Sequence, residues 1–172
     1  MLLALAVLIP TAAQAELRRA EFKLEGMDCV YCNGAMGTAI RKLDGIESVE
    51  LIAEKGVAIV RLKPENTITL QQLRRVIKSV GYDAKAAEIT ARGRISSTGA
   101  QAAVDLLNGS VLKLASPPAN SSDAVVEVTG VVKPGENGDE TLTIATIKPP
   151  ASPRVSSPAR RDGAGGRDSA PR

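Results

Sequence analysis

The run Gly26, Met27, Asp28, Cys29, Val30, Tyr31, Cys32 constrains this chain more tightly than any other. It holds both of the chain's cysteines and falls where a strand pattern gives way to a helix pattern. Cysteines at Cys-x-x-Cys spacing bring two sulfurs together from a single loop. Thiolates are the ligands that soft, low-coordinate cations take in preference to carboxylate or water. The chain has no His and no further Cys, so four N/S ligands for a structural zinc ion cannot come from one molecule. Zn(II) would need carboxylates or a second chain.

The residues around that run alternate with readable periods. Glu21, Phe22, Lys23, Leu24 and Glu25 alternate charged and apolar with period two, which predicts a half-buried strand. From Cys32 the period lengthens: Met36, Ile40 and Leu43, with Ala35 and Ala39 beside them, mark one face of a helix that Gly45 ends. Ser48 to Ala53 and Val57 to Leu62 read as two strands joined by a turn at Glu54, Lys55 and Gly56. Leu70, Leu73, Val76, Ile77 and Val80 form the stripe of a second helix, with Thr67 or Thr69 to cap it and Gly81 to stop it. Arg74, Arg75 and Lys78 alternate with that stripe and read as a solvated face open to an acidic partner. A last strand runs from Tyr82 to Ile89. The order βαββαβ is the split βαβ or ferredoxin-like plan.

Beyond Ile89 the character changes. Residues 89–95, 102–107, 110–114, 125–132 and 141–147 are short β-like stretches separated by Gly, Ser, Asn and Pro, with a turn at 135–139. The overall expectation is an α+β chain, with a ferredoxin-like domain at 20–90 followed by a small all-β barrel at 91–148. The phrase Val126-Glu127-Val128-Thr129-Gly130-Val131-Val132, followed by Thr141-Leu142-Thr143-Ile144, resembles the OB-like β domains of some exported bacterial proteins. Residues 149–172 are rich in Pro, Ser, Arg, Gly and Ala, too poor in apolar side chains to fold, and are expected to be disordered.

Residues 20–90 resemble the heavy-metal-associated domain, the module of copper chaperones, copper-ATPase N-terminal domains and the periplasmic mercury-binding protein. The resemblance rests on Gly26-Met27-Asp28-Cys29-x-x-Cys32, on Met36, Ala39, Ile40 and Leu43 in the first helix, on Gly45-Ile46, and on Val80-Gly81-Tyr82-Asp83-Ala84. It implies that Cys29 lies in an exposed loop and that Cys32 opens the helix. There the helix dipole and unpaired N–H groups favour the thiolate. Two thiolates with no third obligatory ligand suit nearly linear Cu(I), or alternatively Hg(II). It also implies that Met27 packs beneath the loop, and that Tyr82 occupies the position from which related domains screen the site. The plain alternative for Tyr82 is a residue covering the edge of the core. Asp28 departs from the common Thr, and its charge should raise the thiol pKa values and favour the more positive ion.

The first residues carry an apolar run from Leu2 to Ile9, then Pro10, and end in Ala13-Gln14-Ala15, the A-x-A form of a cleavage site. Residues 1–15 thus read as a secretory signal, and the chain as periplasmic or otherwise extracytoplasmic. The run is far shorter than the roughly 20 residues of a membrane-spanning helix. The basic residues that usually precede such a run are missing, which leaves room for a start further upstream and a longer anchor. The net charge of +3 is weak, and one Phe, two Tyr and no Trp supply no platform for stacking bases, so a nucleic-acid partner is not expected.

These features describe an exported, non-enzymatic metal carrier or buffer that exchanges one soft ion between Cys29 and Cys32. Its partner would be a metal donor or acceptor such as a metal-transporting ATPase or membrane transporter. Two other readings stay open. Outside the cytoplasm a close thiol pair is liable to oxidise, so the pair could serve as a thiol–disulfide redox couple. The barrel could instead make the chain a partner-binding scaffold.

Overall fold

The computed structural model describes residues 16–25, 33–98, 101–106, 108–118, 124–135 and 139–149. The leader at 1–15, Met27, Asp28, Cys29 and Cys32, and the tail from 150 onward lie outside the described residues.

The element order is β1 (Leu17–Glu25), α1 (Asn33–Arg41), β2 (Ile46–Ile52), β3 (Val57–Leu62), α2 (Leu70–Ser79), β4 (Asp83–Thr98), β5 (Gln101–Asp105), β6 (Val111–Leu114), β7 (Val125–Pro134) and β8 (Glu140–Lys148). The first four strands pair antiparallel in the order β2-β3-β1-β4. This is the ferredoxin-like arrangement, with Ala20, Phe22 and Leu24 of β1 buried on alternate positions. Met36 and Ile40 of α1, and Leu70, Leu73 and Ile77 of α2, join them in the core. Of the two candidate caps for α2, Thr69 takes the role: its hydroxyl accepts the Gln72 N–H at 3.0 Å. Between β2 and β3 the chain makes a single 3-10 turn, Ala53–Lys55, closed by the Gly56 N–H donating to Ala53 O at 3.0 Å.

The sequence suggests one strand ending at Ile89 and another running from there to Ile95. The structure has a single strand, β4, whose 16 residues serve both halves of the chain. No turn residue interrupts Asp83 to Ala91, so the ladder continues. Its first part lies beside β1 (Glu25↔Asp83 to Leu17↔Ala91) and its last part beside β5 (Arg94↔Asp105 to Thr98↔Gln101), while β7 covers the opposite edge from Ala87 to Arg94. Gly93 marks the place where β4 leaves β1 for β5. A Cβ there would stand 2.7 Å from Val104 Cγ1 and 2.8 Å from Asp105 O, a backbone approach that only glycine allows.

From β4 the ladder runs through β5, β6, β8 and β7 and back to β4. The circuit is closed, and within it β6 and β8 pair parallel (Lys113↔Thr141, Leu114↔Leu142). Ile95, Val104, Leu112, Val128, Val132 and Leu142 are buried within it. One hydrophobic cluster extends from Met36 under the ferredoxin-like sheet to Leu142 in the ring, so both halves share β4 and one core. Polar links satisfy the backbone along the seam. Asn66 Nδ2 donates to Leu17 O and Lys63 O, both at 2.8 Å, Asn66 Oδ1 accepts the Ile68 N–H at 3.1 Å, and Asn108 Nδ2 donates to Ile68 O at 3.1 Å.

Candidate metal centre

The expected metal loop hangs between two described anchors, the end of β1 at Glu25 and the start of α1 at Asn33. The first anchor is held from both sides. Leu24 N–H donates to Gly56 O at 2.8 Å on the β3 side, and Glu25 pairs with Asp83 on the β4 side. Lys85 Nζ lies 3.2 Å from Glu25 Oε2, but both side chains are more than half exposed, so that ion pair contributes little. The second anchor is held by Met36 and Ile40, both fully buried. No acidic residue occupies the first turn of α1, so its positive end is not neutralised by a carboxylate of its own.

Tyr82 sits at the same end of the sheet, one residue before β4 and between Gly81 and Asp83. Gly81 has φ +90°, a conformation that lets the chain reverse out of α2, and the Tyr82 N–H then donates to Ile77 O at 3.3 Å. The Tyr82 ring is 6% exposed and belongs to the core cluster. The structure thus brings Tyr82 and Glu25 to one end of the ferredoxin-like sheet, where Asp83 pairs with Glu25. Among the described residues no group of three or more His, Cys, Asp or Glu side chains is placed to hold a metal ion. Nor is any described helix long and apolar enough to cross a membrane.

Arg74 departs from its expected place on a solvated face. Its side chain is 13% exposed and that of its partner Glu140 only 8%, with Nε donating to Oε1 at 3.0 Å. Burial pushes the Glu140 carboxyl above its ordinary value, and the hydrogen bond and charge of Arg74 pull the other way without cancelling the rise. Nothing in the sequence marks this pair. Arg74 neighbours the apolar stripe, as a solvated residue would, and Glu140 follows a turn 66 positions later.

A sequence model of the heavy-metal-associated domain matches residues 21–83, a stretch that includes both cysteines. The copper chaperone CopZ of Staphylococcus haemolyticus is 36% identical over 62 residues, which are 36% of this chain and 90% of that protein. CopZ of Staphylococcus saprophyticus is 33% identical over 63 residues, 37% of this chain and 91% of that one. Among solved structures, a putative copper-ion-binding protein from Bacillus anthracis is 28% identical, with 41% of this chain and 96% of that chain covered at a TM-score of 0.35. The chain belongs to the heavy-metal-associated domain family through its ferredoxin-like unit.

Proposed function

We propose that this protein carries or buffers Cu(I) on Cys29 and Cys32 and passes it on by thiolate ligand exchange. The observation that carries the reading is that relatives named copper chaperones align over nine-tenths of their length with the stretch containing this Cys pair. An incoming thiolate can attack a two-coordinate ion, share it in a three-coordinate state and draw it away without its ever being free. Tight binding and fast transfer are then compatible. The exchange turns over no substrate. The first turn of α1, which has no acidic residue of its own, favours Cys32 as the thiolate, and the burial of Tyr82 next to the Glu25–Asp83 pair suits a residue that shields the site from water. Met27 and Asp28 shape the loop in the same reading, with Hg(II) as the competing ion.

The natural partner is a metal-transporting ATPase or membrane transporter that presents its own thiolates. The leader-like first residues support export to the periplasm or another extracytoplasmic space. The closed ring of β4, β5, β6, β8 and β7, with its parallel β6–β8 pair, supports an OB-like reading of the C-terminal half, a barrel suited to engaging a partner.

Titration of the reduced protein with Cu(I) against a strong competing chelator tests the proposal. One equivalent should be retained by the unaltered chain and lost in Cys29→Ser and Cys32→Ser. Retention by the double serine variant overturns it. Failure to bind, combined with a readily reducible Cys29–Cys32 disulfide, would favour the redox reading instead.

A further inference from the structure

The Arg74 guanidinium gathers partners from β1 and β4, the strands that meet at Glu25 and Asp83, and from the barrel as well. Nη1 donates to Ala84 O and Lys85 O, each at 2.6 Å, two and three residues past Tyr82. The register of β4 against β1 slips there, between Phe22↔Ala87 and Leu24↔Ala84. A bulge of this kind disturbs the ladder locally, and Arg74 binds two carbonyls beside it. Its Cζ stands 5.5 Å from the ring centroid of Phe22, a fully buried residue of β1 three positions before Glu25. Nε is held by Glu140 at the start of β8, and Nη2 reaches Val132 O on β7 at 3.5 Å. The carboxylate that orients this fork therefore belongs to the barrel, while its two shortest backbone contacts, to Ala84 O and Lys85 O, lie near the Glu25–Asp83 end of the sheet.

We propose that Arg74 is a positioning residue through which the barrel, by way of the Glu140 carboxylate, holds the Tyr82–Lys85 segment in shape and so governs how readily the loop gives up its ion. The second half rests on the copper-carrying reading above; the first stands on geometry alone. A planar fork of five donors can serve one carboxylate and carbonyls on two strands at once, whereas a lysine ammonium in its place cannot reach them all. Glu140 also lines a cavity of about 250 Å³ between the first turn of α2, Leu106 and the stretch from Gly109 to Leu112. A molecule engaging the barrel at that cavity would meet the same carboxylate.

Glu140→Gln in the full chain removes the charge and keeps the shape, and Arg74→Lys keeps the charge and removes the fork. Amide hydrogen exchange on the metal-free chain should rise about threefold or more at Tyr82 and Leu24 in both variants. Exchange at Val104 and Leu112 in the barrel should stay unchanged. Loss of Cu(I) to a colorimetric chelator should quicken by a similar factor. Unaltered exchange at Tyr82 and Leu24 overturns the proposal, as does a uniform rise that includes the barrel, which reports only lost stability. Local loosening with an unchanged rate of copper loss overturns the link to ion release. Should the unaltered chain hold no cysteine-dependent copper, the proposed function fails, and the exchange data still decide the role of Arg74.

Discussion

Arg74 and Glu140 show how much one buried pair can decide. Removing two charges from water costs more than their attraction returns, but stranding one of them costs more still. Arg74→Ala should therefore destabilise the protein by about 3–5 kcal/mol, because it leaves the Glu140 carboxylate buried without its partner. Glu140→Gln strands the Arg74 guanidinium in turn but leaves it its carbonyl acceptors and a neutral side chain of the same shape, so it should cost less than Arg74→Ala, and denaturant unfolding of the two variants checks the contrast. Folded Glu140 holds its proton more tightly than the unfolded chain does, so the unfolded state ionises first. The contribution of Glu140 to stability accordingly falls as pH climbs from its ordinary value of 4.5 through the raised folded value, and levels off above that. Unfolding free energies measured across this window should lose that slope in Glu140→Gln, and an unchanged slope would assign it to other groups. Neither residue could be singled out beforehand, since both are charged side chains at positions whose local pattern predicts solvent.

At the scale of elements, local chemistry was far more legible. The stripe Leu70, Leu73, Ile77 places α2, and the hydroxyl of Thr69 starts it, leaving Thr67 exposed outside. Thr69→Ala should cost about 1 kcal/mol, read as a lowered denaturation midpoint with an unchanged slope, whereas Thr67→Ala should cost almost nothing. The hairpin of β2 and β3 and every strand from β5 to β8 likewise follow from alternation bounded by Gly, Pro, Asn and Ser. The largest departure is β4. A long strand and two short ones in a row share the same period of two, and only the neighbours on each edge decide between them. The helix expected to run to Gly45 stops at Arg41, and the chain reaches Gly45 through Leu43, whose N–H bonds back to Ile40 O at 3.1 Å.

For the whole molecule, shared β4 and a common core imply a single cooperative unit. Thermal unfolding followed by tyrosine fluorescence and by far-ultraviolet dichroism should give coincident transitions, with the buried Tyr82 reporting the metal half and the dichroism dominated by strands of both halves. Two separated transitions would show that the halves are energetically independent. A chain cut after residue 90 should melt lower than the full chain, because it loses β7 from the edge of β4 and exposes Ile89, which is fully buried in the intact fold. The sequence by itself determined the ferredoxin-like unit, its family and the candidate ligands Cys29 and Cys32, because period, caps and loop spacing are properties of neighbouring residues. Only tertiary structure decided that β4 runs on into the ring and that Arg74 turns inward to Glu140. Those outcomes depend on which surfaces meet across the fold, and no stretch of chain carries that information alone.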